Sequence, residues 1–455
     1  MASFLRSFFA AFFTLGFSFA LTAQNLEPAR DFVGVAPLGL PTRLRILDTS
    51  ASAMQSRLDI IRSAQRDLIA SYFIIDRDIT SMVGLAMMRE VAREKGIRTR
   101  IIADSFFHRL PRPLMKHLAD EGVEIREHHP WDWRHPIWMF QRMHDKLLVA
   151  DNRDGVLGGR NIQRTYFDLE TSDEIKNFVD RDVRVTGDFL TPLGVYFNKL
   201  WESDHVRFPK IARISWARAK KAERDLDEAL KKAKSFRWFD RSPTYLGPQD
   251  DHSGKIEILT NEIEGNNRKI GNVRNALAQL AKSAKQSIVI ESPYLVPTAD
   301  LFQIAHDAIE RGVKIKIITS STQSNDGVLP AGGYLHFREA LAGLGIELYE
   351  YQGPGALHAK SAVIDGKIAI IGSYNLDPRS AFWNSELAVV SYDQKVANDL
   401  ISSMEGHIQR SKLVAHDGEL IGPLDDFKGL SFWKASQIRC ARVAAMLSPT
   451  FRNQL

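Results

Sequence analysis

A short polar pattern occurs twice in this chain of 455 residues, and the repeat limits what the chain can fold into. Each copy reads H-x-K-x4-D followed by G-[GS]-x-N, and the second copy stands 214 positions after the first (358 minus 144). One copy of so short a pattern carries little weight, but two copies at identical spacing indicate two homologous halves. The shared residues are His144, Lys146, Asp151 and Asn161 in the first copy and His358, Lys360, Asp365 and Asn375 in the second.

Each copy lies in a strand–turn–strand pattern. His358 and Lys360 stand two apart in an apolar, β-branched run, so both side chains are expected on one face of a strand. Asp365 and Gly366 separate two apolar runs, which predicts a hairpin turn, so Asp365 is a turn residue first and a catalytic candidate second. Asp151 is its counterpart. Because an imidazole can attack phosphorus or move a proton while a lysine holds charge, the pattern predicts a site for an anionic substrate.

The repeat extends beyond the motifs. RSAQRDLIASYFI at 62–74 lines up with KSAKQSIVIESPYL at 282–295, and KGIRTRIIAD at 95–104 with RGVKIKIITS at 311–320. Each half is predicted to be a layered β-α-β-α domain with a mixed sheet covered by helices, and two facing halves would close one site containing both histidines and both lysines. Apolar periodicity predicts helices over 51–65, 79–95 (capped by Asp78), 113–121, 273–284, 298–311 and 334–344, and strands over 68–75, 97–103, 123–127, 287–291, 313–320 and 346–351.

The two motifs resemble the paired HKD motifs of the phospholipase D superfamily, and most of all its bacterial cardiolipin synthase branch of the C type. The resemblance covers most of the chain, from about residue 45 to residue 395. It is carried by RMHDK at 142–146, GGRNI at 158–162, YFD at 166–168, FVDRDVRV at 178–185, SPYLVP at 292–297, LHAK at 357–360 and GSYNLDPRSAFWNSE at 372–386.

The resemblance implies the fold class and the domain division. The expected fold is α/β, with two tandem phospholipase D-like layered domains that have mixed sheets, are related by a pseudo-two-fold axis and share one active site. The expected division is a signal peptide or N-terminal anchor at 1–23, a first domain at 42–212, a charged helical linker at 213–252, a second domain at 253–410 and a tail at 411–455 that forms an amphipathic surface helix or docks on the second domain.

The resemblance also implies a two-step phosphodiester exchange. One histidine attacks phosphorus to form a phosphohistidine, while the other protonates the leaving oxygen and then deprotonates the incoming alcohol or water. Which histidine attacks stays open. Lys146, Lys360, Asn161 and Asn375 are expected to hold the non-bridging oxygens. No cofactor and no metal are expected, because the motif residues include no carboxylate cluster.

A nucleophilic histidine needs an acceptor for its other ring nitrogen. Glu386 stands at the family position for that acceptor and is expected to pair with His358. In the first half the match to FVDRDVRV gives this role to Asp180, with Asp182 as an alternative on the same face. The role of Arg379 is open between bracing its loop and binding substrate. Three further histidines, read as loop residues rather than catalytic ones, are His128, His129 and His135.

The implied function is that of a phosphatidyltransferase, cardiolipin synthase-like, acting on phosphatidylglycerol or phosphatidylethanolamine. The alternatives are a hydrolytic phospholipase D, or a phosphodiesterase or nuclease of the same superfamily. A catalytically silent lipid-binding protein is disfavoured because both motifs are complete. Synthases of the C type carry T-N-S after the strand and a histidine before A-G-Y, whereas this chain reads T-S-S from 319 and P-A-G-G-Y from 330, which leaves the acceptor and head group open.

The loop before the first motif favours a lipid partner over nucleic acid. Net charge is +5 and the pI about 9.1, which suits either anionic partner. Nucleic-acid grooves are lined by closely spaced basic residues. Here Trp131, Trp133, Trp138 and Phe140 stand together in a segment that contains Pro130 and Pro136, so they form either a pocket or membrane contact or plain packing. The expected partners are therefore phospholipids and a membrane surface.

The two ends of the chain suggest its destination. Arg6 precedes an apolar run from Phe8 to Ala20, which predicts a signal peptide cleaved after Ala20 or Ala23. The alternative is an uncleaved anchor, although the run is shorter than the roughly 20 residues that span a bilayer. The expected location is exported, either periplasmic or inner-membrane-associated in a bacterium, or secreted. The single cysteine, Cys440, excludes an internal disulfide.

Overall fold

The structure is a computed structural model that describes residues 33–35, 42–169, 176–211, 214–236, 239, 251–252, 255–264, 267–269, 271–421, 427 and 429–447. The expected signal peptide or anchor at 1–23 lies outside these residues, as does part of the expected linker. Across the described ranges, no helix has both the length and the apolar character needed to cross a membrane.

The first half contains the predicted elements with small shifts of their ends, so those predictions are confirmed. Asp78 begins the second helix as expected: its carboxylate accepts a hydrogen bond from Thr80 N at 2.9 Å, and Ser81 completes a capping box. The elements are β1 (Val33–Val35), β2 (Thr42–Leu47), α1 (Ser50–Ser63), β3 (Asp67–Tyr72), α2 (Ile79–Lys95), β4 (Arg98–Asp104), α3 (Arg112–Asp120), β5 (Val123–His128), β6 (Lys146–Ala150), β7 (Asp154–Gly158), β8 (Phe178–Val179), β9 (Asp182–Thr186), α4 (Thr191–Glu202), β10 (Val206–Arg207) and α5 (Trp216–Ala233).

The second half repeats this order. Its elements are β11 (Asp251–His252), β12 (Ile256–Thr260), β13 (Glu262–Glu264), β14 (Asn267–Lys269), α6 (Asn272–Ser283), β15 (Ser287–Glu291), α7 (Ala299–Glu310), β16 (Lys314–Ser320), α8 (Val328–Gly343), β17 (Glu347–Tyr351), β18 (Ala356–Leu357), β19 (Ser361–Ile364), β20 (Ile368–Gly372), α9 (Pro378–Phe382), β21 (Leu387–Ser391), α10 (Gln394–Ile408), β22 (Ser411–Leu413) and α11 (Phe432–Leu447).

Two expectations for the second half are corrected. Helix α8 begins at Val328 rather than at residue 334. Pro330 does not prevent this, because a proline is tolerated in the first turn of a helix. Gly332 lies within the helix, where its small size allows α11 to pack closely. A Cβ at Gly332 would lie 2.5 Å from Ala441. His358 and Lys360 do not stand within one strand, since β18 ends at Leu357 and β19 begins at Ser361.

Each half forms a nine-stranded mixed sheet with the same topology. The strand orders are β10-β5-β4-β3-β6-β7-β9-β2-β11 and β22-β17-β16-β15-β19-β20-β21-β12-β1. In both, the first three central strands are parallel and the motif hairpin joins them antiparallel. Each sheet takes one edge strand from elsewhere: β1 at the N-terminal end pairs with the second sheet, and β11 with the first.

The two sheets face each other across a shared apolar layer. Buried residues of both sheets belong to one cluster with α4 and α10, which includes Ile69, Leu147, Val363 and Ile371. Separate clusters lie between each sheet and its outer helices. The halves therefore share a core, and inner strands of the two sheets, β7 of the first and β20 and β21 of the second, lie against each other beside the motif hairpins.

The linker helix and the tail both pack on the domains. Helix α5 buries Ala222, Leu226 and Ala229 in the first-domain core, and Arg89 binds Asp227 at 2.6 Å. The expected charged helical linker is therefore a helix, but this face of it is packed on the first domain and not exposed to solvent. Helix α11 packs on α8, so the docking alternative for the tail is the one found.

Candidate active site

The backbone beside each histidine is hydrogen-bonded to the opposite half. His144 N donates to Ser385 O at 3.0 Å, and His358 N donates to Val179 O at 2.7 Å. Strand β18, which precedes His358, pairs in parallel with β8 of the first half. Ser385 and Val179 each stand directly before one of the two acidic candidates, so the backbone ladder places each histidine beside the acid of the other half.

The acid–histidine pairs are consequently crossed between the halves. His144 Nδ1 lies 2.9 Å from a Glu386 carboxylate oxygen, and His358 Nδ1 lies 2.6 Å from Asp180 Oδ2. The expected pairing of Glu386 with His358 is therefore wrong, and so is that of Asp180 with the first half's own histidine. Asp182, the alternative, instead binds Arg57 at 2.9 Å. Each carboxylate fixes Nδ1 of its histidine and leaves Nε2 as the reactive nitrogen.

The two motif lysines are buried beside their own histidines. Lys146 Nζ donates to His144 O at 2.7 Å, and Lys360 Nζ lies 3.1 Å from His358 Nε2. Burial lowers the pKa of Lys146 to about 7 and that of Lys360 to about 8. A bound phosphate would restore full charge to both ammonium groups, so the site favours a dianionic or monoanionic phosphoryl group.

Charged groups from both halves shift the pKa values of residues in the site. Burial lowers the pKa of His144 well below its usual value, and the charges of Lys146, Lys360 and His358 lower it further. Because residues of the second motif act on the first histidine, both motifs contribute to one site. Burial likewise raises the pKa of Glu386 to about 7.

The second acid behaves differently. Burial alone would raise the pKa of Asp180, but the charge of Lys360 and the hydrogen bond with His358 bring it down to about 2. Burial and the Lys360 charge lower the pKa of His358. The Asp180–His358 pair therefore holds an ionised carboxylate at neutral pH, whereas Glu386 changes its protonation in that range.

The two motif asparagines have different surroundings. Asn161 Oδ1 accepts from Ile74 N at 3.1 Å, and its Nδ2 donates to Tyr166 Oη at 2.9 Å. The side-chain oxygen of Asn375 is buried, and no hydrogen-bond partner for it lies within the described part of the chain. Their predicted role in phosphate binding stays a prediction, and Asn375 has the freer amide for it.

The two motif aspartates brace turns instead of facing the histidines. Asp151 and Asp365 have positive φ values of 55° and 51°, and each carboxylate accepts backbone N–H groups at the start of β3 or β15. Asp151 follows β6 at the end opposite Lys146, roughly 16 Å away for five residues at about 3.3 Å each. The catalytic part of the expectation is therefore wrong for this pair, and the turn part is correct.

Several functional neighbours were missed from the sequence. Ser373 Oγ donates to Glu386 and accepts from Leu387 N at 3.0 Å, so it fixes the carboxylate. Ser373 was visible as the variable position of G-[GS]-x-N. The charge of Arg379, whose role was left open from the sequence, also lowers the pKa of His144.

Arg181 ties the strand that carries Asp180 to the second half. Its guanidinium is 1% exposed, binds Glu291, and donates to Ser361 Oγ at 2.9 Å, directly beside Lys360. Arg181, which follows Asp180, thus hydrogen-bonds to Ser361, which follows Lys360. No sequence pattern separates this arginine from the others in DRDVRV.

Aromatic rings surround both histidines. The Phe73 ring lies 5.0 Å from His144. On the other side, Tyr166 and Phe178 lie 5.2 and 5.1 Å from His358, and Tyr294 lies 6.2 Å from it. These rings exclude water from the imidazoles, which strengthens the electrostatic interactions inside the site.

The loop before the first motif projects two tryptophans into solvent. Trp131 and Trp133 are 68% and 79% exposed, so neither is core packing. Between them Asp132 is buried and held by Arg134 at 2.7 Å and Arg207 at 2.8 Å. The loop is thus anchored by ion pairs and presents its apolar rings outward.

The base of this loop is a stack of rings. Trp138 stacks on His129 at 4.7 Å and on His135 at 4.2 Å. The expectation of loop histidines is wrong for His128, which ends β5, and correct for His135 and for His129, which follows the strand, is buried and lies 2.8 Å from a ring nitrogen of His205. Neither contacts His144 or His358 among the ring contacts of the described residues.

The fold and the paired motifs define a class of two-domain enzymes of the phospholipase D superfamily. A family model described as "Cardiolipin synthase, PLD-like domain" matches residues 58–201 and 277–408, more than half of the chain. The chain belongs to this family, a group of phospholipase D-like phospholipid-modifying enzymes.

Individual relatives are more distant. Cardiolipin synthase A of Edwardsiella ictaluri is 25% identical over 381 residues, covering 82% of this chain and 70% of that protein. An uncharacterised protein of Helicobacter pylori is 25% identical over 415 residues, covering 80% and 79%. The crystal structure of phosphatidylserine synthase from Haemophilus influenzae has a TM-score of 0.65 at 17% identity and covers 89% of this chain and 96% of that one. This likeness supports the fold.

Proposed function

We propose that the protein is a phosphatidyltransferase that acts on phospholipids through a covalent phosphohistidine, as a cardiolipin synthase does. The observation that carries the proposal is the pair of buried imidazoles, His144 and His358, each fixed through Nδ1 by a carboxylate from the opposite half. Two such imidazoles beside two buried lysines can act on one phosphorus atom. One histidine attacks phosphorus from one side, and the oxygen of the leaving alcohol departs on the other side.

In the first half-reaction, Nε2 of one histidine attacks phosphorus. A P–N bond forms while the P–O bond to the leaving alcohol breaks, and the second histidine, protonated at Nε2, gives its proton to the leaving oxygen. Lys146 and Lys360 stabilise charge on the non-bridging oxygens. Asn375, whose buried amide oxygen has no protein partner within the described residues, can rotate its amide N–H₂ toward an oxygen.

In the second half-reaction, the now neutral second histidine takes a proton from the incoming alcohol. Its oxygen attacks phosphorus, a P–O bond forms and the P–N bond breaks. With an alcohol the product is a new phospholipid, and with water it is phosphatidate, so transfer and hydrolysis share one intermediate. The hydrolytic phospholipase D is the second candidate, because a water molecule in place of the alcohol would complete the same second half-reaction.

The surface beside the site suits a lipid substrate better than nucleic acid. The exposed rings of Trp131 and Trp133 stand on an anchored loop. Phe106 and Phe107 are also exposed, and Phe107 packs on Phe73, the ring that contacts the first histidine. Tryptophan favours the interface between lipid head groups and acyl chains. We therefore propose a membrane surface as partner. Together with the signal peptide or anchor that the sequence predicts at 1–23, we also propose an exported location, in the periplasm, at the inner membrane or secreted.

The proposal is tested with vesicles of phosphatidylglycerol and phosphatidylethanolamine. The wild type is expected to form cardiolipin-like lipid or phosphatidate, whereas His144→Ala and His358→Ala form neither. His306→Ala, which removes an exposed histidine on α7, serves as the matched control. Acid-sensitive, base-stable label from ³²P-lipid on the wild-type protein would identify the phosphohistidine.

Two results would contradict the proposal. The first is full lipid turnover by either motif-histidine variant. The second is rapid cleavage of DNA at low salt that His358→Ala abolishes and no lipid product matches, which favours the nuclease. For the membrane surface, replacing Trp131 and Trp133 by Ala should weaken vesicle sedimentation, while Trp216→Ala, an equally exposed ring on α5, should not.

A further inference from the structure

The two halves differ in the loops that follow equivalent strands beside the site. Strands β4 and β16 occupy the same place in their sheets. The loop after β4 begins Ser105-Phe106-Phe107, whereas the loop after β16 reads STQSND over 321–326. Phe107 packs on Phe73 at 4.2 Å, and Phe73 packs on His144 at 5.0 Å. One histidine thus has an apolar loop beside it, and the other half offers a polar loop at the corresponding place.

The polar loop places a carboxylate close to the second histidine. Asp326 is exposed, and its Oδ1 accepts a hydrogen bond from Tyr294 Oη at 2.7 Å. The Tyr294 ring lies 6.2 Å from the His358 ring, edge to face. Tyr294 therefore spans the distance between the phosphate site and the carboxylate.

This tyrosine has no counterpart in the first half. Parallel bridges join Ile75 to Ile162 and Leu295 to Leu376, and these bridges occupy the same place in the two halves. The residue before each bridge is Ile74 in the first half and Tyr294 in the second. The fold repeat therefore does not require a tyrosine at this position.

A structural role explains Asp326 only in part. It stands just before α8, where an acidic residue stabilises a helix N-terminus. Its carboxylate nevertheless accepts from Tyr294, while the amide of Gly327 is bound by Asn325 Oδ1 at 2.9 Å. The nearby ammonium of Lys434 donates to Asn325 O at 2.8 Å, and no ion pair to Asp326 occurs among the described residues.

We propose that Asp326 and Tyr294 bind the primary ammonium of a zwitterionic phospholipid head group, such as that of phosphatidylethanolamine, while its phosphate lies at His358. Only two carbon atoms separate that ammonium from the phosphate oxygen, so it reaches the rings next to the histidine. A carboxylate with aromatic faces beside it suits an ammonium ion by charge and by cation–π attraction. Tyr166 and Phe178 supply the remaining rings.

This assignment rests on the proposed function, and it is tested as a choice between two donor lipids. Vesicles with equal amounts of phosphatidylethanolamine and phosphatidylglycerol are incubated with enzyme, and released ethanolamine and glycerol are measured together. Asp326→Asn is expected to lower the ethanolamine-to-glycerol ratio about tenfold, since a hydrogen bond to a charged group contributes about 1.4 kcal/mol or more. Tyr294→Ile, which copies the first half, should lower it about threefold.

Asp399→Asn is the control, because Asp399 is an exposed aspartate of the same domain on α10. Its ratio should equal that of the wild type. An unchanged ratio in Asp326→Asn, or an equal fall in Asp399→Asn, would overturn this assignment and leave the proposed function intact. Release of neither alcohol by the wild type would instead overturn the proposed function, and this assignment with it.

Discussion

The crossed pairing of acids and histidines predicts a specific pattern of energetic coupling. Asp180 lies 178 positions from His358 in the sequence but 2.6 Å from it in space, and the pair is buried. We consider the variants Asp180→Asn and His358→Ala, alone and combined. A second cycle combines Asp180→Asn with His144→Ala, the histidine of the same half. Only the first cycle removes a direct contact.

The expected coupling follows from the geometry. A short, buried hydrogen bond between an ionised carboxylate and an imidazole contributes about 2 kcal/mol to the free energy of unfolding. Because the pKa of Asp180 is lowered to about 2, its stabilising contribution is present above the ordinary value of 3.8 and lost as pH falls below it. The carboxylate of Asp180 should therefore stay ionised in the folded protein from pH 5 to pH 8. Coupling with His144 should not exceed about 0.5 kcal/mol.

The free energy of unfolding is measured by urea titration of the four proteins of each cycle at pH 7. Tryptophan fluorescence and circular dichroism should give coincident transitions, which establishes the two-state behaviour that the cycle requires. A coupling of about 2 kcal/mol between Asp180 and His144, with none between Asp180 and His358, would refute the crossed arrangement. Equal coupling in both cycles would refute it as well, because it would reflect general loosening of the site.

Three further predictions concern other parts of the molecule. Burial raises the pKa of Glu386 from 4.5 to about 7, so its stabilising contribution is present below pH 4.5 and is lost as pH rises through 7. The wild type should therefore lose roughly 3 kcal/mol of unfolding free energy from this group over that range. In urea titrations at pH 4.5 and pH 8, Glu386→Gln should show no such loss. Asp365 has a positive φ, and its carboxylate accepts hydrogen bonds from three backbone amides. Asp365→Ala should therefore lower the unfolding free energy by about 1–3 kcal/mol, while lipid turnover per folded molecule stays near wild type. A large loss of turnover with unchanged stability would show that Asp365 is catalytic after all. Lipid turnover should persist after EDTA treatment and dialysis, and a loss reversed only by a divalent cation would contradict the two-histidine mechanism.

Local features of the chain were predictable because they depend on near neighbours. The Asp365–Gly366 turn, the Asp78 cap and most helix and strand ends follow from periodicity and turn chemistry, which act over a few residues. The one large shift is at the start of α8, where the helix begins six residues before the predicted start and α11 approaches closely at Gly332.

The sequence also showed that the fold is a duplication with one shared site, since two complete motifs at equal spacing leave few other uses for two histidines and two lysines. It did not show which acid serves which histidine. Glu386 is nearer in sequence to His358, and only the hydrogen bonds between Ser385 and His144 across the two halves reverse that choice.

The sequence also did not show which residues lie together at the proposed head-group side of the site. Tyr294 lies in the SPYLVP segment that matches the family, and Asp326 lies in a polar loop, but nothing local indicates that the two side chains contact each other. The sequence by itself determined the chemistry available, because residue types and spacing set the motifs. The tertiary structure decided the partners of those residues, because the contacts of Asp180 with His358 and of Tyr294 with Asp326 exist only when distant segments fold together.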